Sequence, residues 1–388
     1  VRLTADGAAA LVLAVLLLLV AVNLQAGWMF AVDALLWAAL GVAGVGAWTA
    51  VRGLQVSRRM PAEVSEGDEM SITLTVSLRR GRRYALVLRD AIPGGGTATL
   101  TVPEVGGRPV SLTYRAVART RGVHRVEDVE VMTSGLLGLV SARRRVSAPA
   151  EVVVLPRFWV LSQIPSPGPA GADSEAVHRP RRDGLEVAGV RDYRDGDSLR
   201  HVHWRSTARR GRLVVREFDD DLREPVAVLL DTRPALYADA PDAFEDLVRA
   251  AASVAHLATR TGRPVVLVGA AGSQAHPLPW PKAVRWLAAV QPGGDRTPLD
   301  QLSLLAAGTR VVVATADADV LLQLARRAVP VAAILVDASA YRRGTDRRGD
   351  PAPDPSVGAV LALQALGVPV AVLGGGTDPA VVLARWGS

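Results

Sequence analysis

A chain of 388 residues with a formal charge of +7 and no cysteine is long enough for two or three domains. The missing cysteine excludes disulfides, thiolate metal sites and a cysteine nucleophile, while leaving the redox compartment open. Lys282 is the only lysine among 45 basic residues, an arginine bias that a GC-rich genome imposes and that also suits the anionic inner face of a membrane.

Positions 7–32 and 34–51 carry no charge. A bilayer core needs about 20 apolar residues per helix, so residues 7–25 supply one span and residues 28–51 a second. The intervening "NLQAG" suits a tight hairpin. Trp28 and Trp48 are separated by about 30 Å of helix at 1.5 Å per residue, which places one indole at each interface. Asp33 falls in the first or second turn of the second span, near the positive end of the helix dipole. A cleaved signal peptide fits poorly, because only Arg2 precedes the apolar run and a second span follows at once. Arg52, Arg58 and Arg59 then assign the following chain to the cytoplasm by the positive-inside rule. The expectation is a transmembrane hairpin over 1–54, set in the bilayer through residues 7–51.

Residues 55–156 read as β. "SITLTVSL", "YALVLRDAI", "TATLTV", "VSLTYRAVA" and "EVVVLPR" are separated by turn clusters such as "RRGRR" and "PGGG", which predicts a small β-sandwich with no catalytic constellation. Residues 157–183 are rich in Pro, Gly and Ser and read as a linker or loop.

Residues 184–224 carry the densest charge in the chain. "RDYRDGDSLRHVHWRSTARRGR" interleaves acids with arginines around "DGD", strong turn chemistry in which Gly196 permits a positive φ. Arg191 and Arg200 flank Asp195 and Asp197 closely enough for forked hydrogen bonds, and Tyr193 and Trp204 offer rings to brace the turn. Nucleic-acid binding is disfavoured by the interleaved acids and by the lack of a stacking series.

From residue 225 buried-strand runs alternate with amphipathic helices to residue 388. That pattern predicts a doubly wound α/β domain of parallel strands with helices on both faces. Ligands bind such sheets at the carboxyl ends of the strands, where Asp231, Thr297 and Asp317 are expected. The arrangement resembles the von Willebrand factor A fold, in which an Asp-x-Ser-x-Ser loop, a threonine and an aspartate hold magnesium. Here the loop reads Asp231-Thr232-Arg233-Pro234-Ala235. Both serines are lost, and Arg233 brings a positive charge that opposes a cation and is able to pair with Asp231. The metal site is therefore expected to be degenerate, with no cofactor.

Other chemistry is sparse. His201 and His203 share a face of an extended chain but lack further zinc ligands. His124, His178, His256 and His276 are isolated. There is no G-x-S-x-G and no Walker A sequence, and "GGGTDP" reads as a strand-to-helix turn with Thr377 as N-cap.

"GLEVAGVRDYRDGDSLRHVHWRSTARRGRLVVREFDDD" resembles the signature of the bacterial "domain of unknown function 58" family, at Glu186, Arg191, Tyr193, Gly196, Asp197, Arg200, Trp204, Ser206, Ala208, Leu213 and Phe218. An upstream segment resembles the same family, but its usual Asp-Pro is replaced by Ser134-Gly135-Leu136-Leu137-Gly138-Leu139. The resemblance covers essentially the whole chain. It implies an anchored, multi-pass protein of the bacterial inner membrane, its bulk cytoplasmic, associated with MoxR-type AAA+ ATPases; it supplies no reaction. The leading expectation is a non-enzymatic scaffold that docks a partner through Arg191, Asp197 and Arg200. The alternative is a metal-dependent or hydrolytic enzyme using Asp231, Asp317 and His203.

Overall fold

The computed structural model describes residues 1–135, 137–166, 187–192, 202–218, 224–269, 272–306, 308–343, 355–374 and 378–386. The chain divides into two compact units, Val1–Leu155 and Pro156–Ser388.

The first unit opens with strand β1 (Arg2–Leu3) and two helices, α1 (Ala5–Leu24) and α2 (Gly27–Ala50). Both are long and apolar enough to cross a membrane. They fold as an antiparallel hairpin because Gln25, with φ 48°, ends α1 in the left-handed region. Thr4 caps α1 by accepting from the Gly7 amide at 3.0 Å, which satisfies one orphan donor of the first turn. Asp33 lies in the second turn of α2 as expected. It is buried, however, with Oδ1 unpartnered among the described residues.

Eight further strands follow: β2 (Leu54–Arg59), β3 (Glu63–Ser65), β4 (Glu69–Leu78), β5 (Arg83–Ala91), β6 (Thr97–Val105), β7 (Val110–Val117), β8 (Gly122–Thr133) and β9 (Val140–Leu155). One sheet has the order β2-β4-β7; the other runs β1-β9-β8-β5-β6, with β3 parallel to β9. Period-two alternation puts Leu74 and Val76 of the small sheet against Leu86, Leu88, Val129 and Val131 of the large one in a common core. Each such buried side chain contributes about 1.5–3 kcal/mol. Sequence reading passed over β2, β8 and the first half of β9, whose arginines and glutamates mask the alternation.

The helix hairpin belongs to this same unit. Leu139 O accepts from Thr4 N at 3.1 Å and from Thr4 Oγ1 at 3.0 Å, and Ala43 and Ala47 of α2, with Val51 just past its end, pack on Val140 and Ala142. A Cβ on Gly7 would stand 1.8 Å from Leu139 O, so only glycine permits this approach. Residues 139–142 thus seat the start of α1 and the end of α2.

Arg58 corrects a sequence expectation. Assigned there to the charge flanking the second span, its side chain is instead 1% exposed and paired with the fully buried Asp90. Arg58 Nε donates to Asp90 Oδ2 at 3.3 Å, and its Nη2 donates to Oδ1. It also donates to Val126 O at 2.9 Å, to Asp128 O at 3.1 Å and to Ala148 O. Those carbonyls are freed by the register shift between β8 and β9 at Val126/Asp128. Tyr114 OH completes the group by donating to Asp90 Oδ2 at 2.7 Å. Burial, then its bond to Asp90, raises the Tyr114 pKa far above the ordinary phenol value.

The second unit begins with a two-stranded antiparallel ribbon, β10 (Val187–Asp192) and β11 (Val214–Phe218), joined through α3 (Trp204–Arg210). The main sheet follows: β12 (Val226–Leu230), α4 (Pro241–Arg260), β13 (Val265–Gly269), β14 (Gly272–Leu278), α5 (Trp280–Ala289), α6 (Pro298–Gln301), β15 (Arg310–Thr315), α7 (Ala318–Arg326), β16 (Val331–Val336), α8 (Ala338–Arg343), α9 (Pro355–Ala365), β17 (Val370–Leu373) and α10 (Pro379–Trp386).

Its order is β14-β13-β12-β15-β16-β17. Alternate residues of β12 face opposite layers, Val226, Val228 and Leu230 toward α4 and α5, Ala227 and Leu229 toward α7 and α9. Burial on both faces explains the continuous apolar runs. One expectation needs correction, since β14 runs antiparallel to β13 as a hairpin edge strand. "GSQAHPL" alternates too weakly to announce it. The predicted helix after Thr297 is shorter than read, a single turn of α6 followed by a 3-10 turn at Leu302–Leu304.

Candidate functional site: the strand-end cluster and the signature ribbon

Two regions of the second unit hold the residues singled out by sequence. The first lies where ligands enter doubly wound sheets, past the carboxyl ends of β12 and β15.

Asp231 follows β12 directly and is fully buried. Its Oδ1 accepts from Arg233 N at 3.3 Å and from Arg233 Nε at 3.0 Å. Oδ2 accepts from Arg233 Nη2 at 2.7 Å and from Thr315 Oγ1 at 2.7 Å. Four donors thereby occupy the four lone-pair positions of one carboxylate. Arg233 Nη2 also donates to Asp317 Oδ2 at 2.8 Å, so a single nitrogen bridges the two strand-end carboxylates.

Asp317 is positioned by its other oxygen, which caps α7 by accepting from Asp319 N and Val320 N, and its own amide donates to Thr315 Oγ1 at 2.9 Å. Tyr237 OH donates to Asp231 O at 2.8 Å from beneath the loop.

Hydrogen bonds donated to Asp231 raise the Arg233 pKa above its usual value, against the opposing effect of burial and with Asp317 adding to the rise. Burial foremost, then the charge of Asp231, raises the Tyr237 pKa. The cluster is therefore a fixed ion triad in which the guanidinium sits between the carboxylates.

Thr297, the third expected position, is spent locally. Its hydroxyl and amide form a capping box with Asp300 at the start of α6. Backbone and side-chain hydrogen bonds from Thr297 lower the Asp300 pKa, and Arg296 and Arg233 add to this. The loop before it is tied to the Asp231 loop through Thr232, whose Oγ1 donates to Gly293 O at 2.8 Å and whose carbonyl accepts from Gly293 N at 2.7 Å.

These residues do not fit a divalent cation, because the oxygens it requires are already taken by Arg233, Thr315 and the cap. Among the described residues no three His, Asp or Glu side chains are grouped to hold a metal.

The second region is the ribbon. Arg191 lies in β10 with its backbone opposite Val215 of β11. His203 stands at the N-cap of α3, where its Nδ1 accepts from Ser206 N at 3.2 Å and shares a 2.8 Å hydrogen bond with Ser206 Oγ. Thr207 Oγ1 accepts from Val214 N at 3.1 Å, which ties α3 to the start of β11. Both Ser206 and His203 thus build the local turn, and the latter is not brought together with Asp231 and Asp317 in any metal-binding group. Trp204 is 65% exposed at the head of α3 and buries little against the unit, unlike the bracing ring that sequence predicts. Glu186, Tyr193, Gly196, Asp197 and Arg200 lie outside the described residues, as do His178, His201 and Thr377.

Residues 189–301 match the family described as protein of unknown function DUF58. The second unit carries a DUF58-like domain. It takes in the ribbon, α3, the Asp231–Arg233 loop and Thr297 together. A curated relative, "Uncharacterized protein YeaD" of Bacillus subtilis (strain 168), is 27% identical over a 237-residue alignment that covers 57% of this chain and 56% of that protein. The match therefore spans little more than half of that relative's length. Among solved structures, the CARDB domain of PF1109 from Pyrococcus furiosus is 18% identical, covering 26% of this chain and 94% of its own, with a TM-score of 0.21. The PKD domain of an M14-like peptidase from Thermoplasmatales archaeon SCGC AB-540-F20 is 14% identical, covering 26% and 92%, with a TM-score of 0.20.

Sequence reading expected Asp231 and Asp317 past their strands and Arg233 beside Asp231, where the structure has them, and passed over Thr315 and Tyr237. A threonine closing a buried strand, and a tyrosine six residues past an aspartate, carry no signal until the strands are paired.

Proposed function

We propose that the chain is a non-enzymatic, membrane-anchored docking protein whose second unit presents a rigid polar face to a partner protein. The observation that carries this reading is the Arg233 bridge. In a von Willebrand factor A-like domain, which the strand order, the antiparallel third strand and the strand-end aspartates of this sheet support, partner binding through a metal needs open carboxylate oxygens. Here a guanidinium of the same loop occupies them, so recognition falls to the triad itself and the exposed Trp204, together with the charged sequence that contains Asp197 and Arg200. The partner class implied by the family resemblance is a MoxR-type AAA+ ATPase. The anchor is the α1–α2 hairpin in a bacterial inner membrane, with Arg52, Arg59 and the arginines of the β4–β5 turn on the cytoplasmic side.

The test is affinity capture by the detergent-solubilised full chain from native lysate with ATP or ADP present, followed by reconstitution with the purified candidate. A stoichiometric AAA+ ATPase, lost with Asp197→Ala and with Arg200→Ala while their melting temperatures are unchanged, is the expected result. Equal recovery with both variants defeats the docking assignment. Micromolar magnesium, manganese or zinc binding abolished by Asp231→Ala would instead favour the metal-dependent enzyme.

A further inference from the structure

We propose that the cavity between the last turns of α2 and the arginine-rich β4–β5 turn holds one anionic phospholipid drawn from the surrounding leaflet. This rests on the membrane-spanning reading of α1 and α2 given above.

The cavity encloses about 350 Å³, within the range of small-ligand sites, about 300–1,000 Å³. Its walls are of two kinds. Val42, Gly46 and Ala50 of α2, with Leu137 of the helix-seating loop, make an apolar side; Arg82, Arg83 and Tyr84 make a polar rim.

The two kinds are ordered along the membrane normal. With 24 residues, α2 is about 36 Å long at 1.5 Å per residue, longer than a hydrocarbon core of about 30 Å. Its final turn therefore emerges at headgroup depth, with the rim beside it and Val42 deeper by two turns. One contact ties the rim to that level, and a second marks the interface beside it. Arg83 Nε donates to Thr49 O at 2.9 Å, a carbonyl of the helix end that also accepts from Arg52 N at 3.1 Å. The Arg52 guanidinium lies 3.6 Å from the centre of the Trp48 ring, a cation over an interfacial indole.

Charge selects the occupant. Arg79, Arg80, Arg82 and Arg83 surround Gly81, whose φ of 84° lets the turn close tightly. The acid facing this rim is Glu104, 3.4 Å from Arg82 in an exposed pair of the kind that holds its partners weakly. A phosphate beside guanidiniums forms charge-assisted hydrogen bonds, and an acyl chain fills the apolar side. A phospholipid offers both in the required order, and an anionic headgroup carries the net charge that a zwitterionic one lacks. The space for the chain is real at Gly46, where an added Cβ meets no atom within 4 Å.

The experiment is native mass spectrometry of the full chain released from nanodiscs of equal phosphatidylglycerol and phosphatidylcholine. One phosphatidylglycerol per chain is expected to stay bound. Arg82→Gln should reduce that retention about tenfold, the loss of one charge-assisted hydrogen bond.

Gly46→Leu fills the cavity without altering charge and improves helix propensity. It should abolish retention while the melting temperature in detergent holds. If Gly46→Leu keeps the lipid as the wild type does, the selectivity comes from diffuse attraction to surface arginines and the proposal falls. If glycerol phosphate displaces the lipid at equal concentration, the ligand is a free phosphate and the lipid assignment also falls. An alkaline carbonate wash of vesicle-bound chain keeps the two readings apart. Release by the wash defeats the membrane reading itself, whereas wash-resistant insertion without phosphatidylglycerol retention defeats only the cavity.

Discussion

Replacing Arg233 by serine, together with Ala235→Ser, would restore the Asp-x-Ser-x-Ser pattern around Asp231 and test the guanidinium bridge directly. Removal of the Arg233 side chain takes two hydrogen bonds from a carboxylate that is fully buried and one from Asp317, while the backbone N–H of residue 233 stays on Asp231. Breaking a buried pair from one side costs about 3–5 kcal/mol. Because the arginine side chain is 21% exposed, the lower end applies, about 3 kcal/mol after the discount for solvent access. At roughly 2–4 °C per kcal/mol for a unit of this size, melting should fall by about 6–12 °C in EDTA.

The same variant opens both aspartates to a cation. Their oxygens lie 2.7 and 2.8 Å from Arg233 Nη2, so they must close by about 0.6–0.7 Å to reach magnesium at about 2.1 Å. A ligand at about 100 times its Kd returns roughly 2.7 kcal/mol, which is most of the loss. Scanning calorimetry of the full chain in detergent, with EDTA or with excess magnesium, reads both effects. The wild type should be indifferent to magnesium and the variant rescued by it. Melting of the variant within about 2 °C of wild type in EDTA, or equal stabilisation of both proteins by magnesium, would refute the claim that Arg233 holds the cation position.

Other expectations follow from the same kind of reasoning. Arg58→Met strands the buried Asp90 and three carbonyls, and urea unfolding of the first unit should register a loss of about 3–5 kcal/mol. Tyr114→Phe removes only one hydrogen bond to that carboxylate and should cost about 1.5–3 kcal/mol in the same assay. Gly7→Ala drives a methyl into Leu139 O; amide exchange should show faster protons at the start of α1, with a loss of about 1–3 kcal/mol from overpacking. His256 lies 4.2 Å from the Phe158 ring centre and 5.0 Å from that of Trp280, and burial foremost, then Arg260, lowers its pKa. The unfolded chain then takes up the proton more readily, so the contribution is complete above about pH 6.5 and is lost as pH falls through the lower folded value. Melts between pH 7.5 and pH 5 should show that this decline is shallower for His256→Phe.

Much of this molecule is written in local pattern. The two apolar runs of α1 and α2, the alternation of β4, and the uniformly apolar β12 and β16 announce themselves, since each is set by burial of its own residues on one face or both. Asp231 and Arg233 were legible as a pair for a similar reason: they stand two residues apart on one loop, directly after a strand whose end must hold polar groups.

The remaining features depend on residues far apart in the chain. Arg58 reads as a charge flanking a membrane span, and only the register shift of β8 against β9 shows why it is buried beside Asp90. Residues 134–139 read as a departure from a family motif until Leu139 O meets Thr4 and the Gly7 surface. Arg233 could be foreseen beside Asp231, but its bond to Asp317 exists only because parallel pairing puts the end of β15 next to the end of β12. Sequence by itself thus determined the strongly patterned elements and the loss of the cation motif, both consequences of nearest neighbours and period. Tertiary structure alone decided which charges meet, because a hydrogen bond depends on separation in space, and strand pairing brings together residues 84 positions apart.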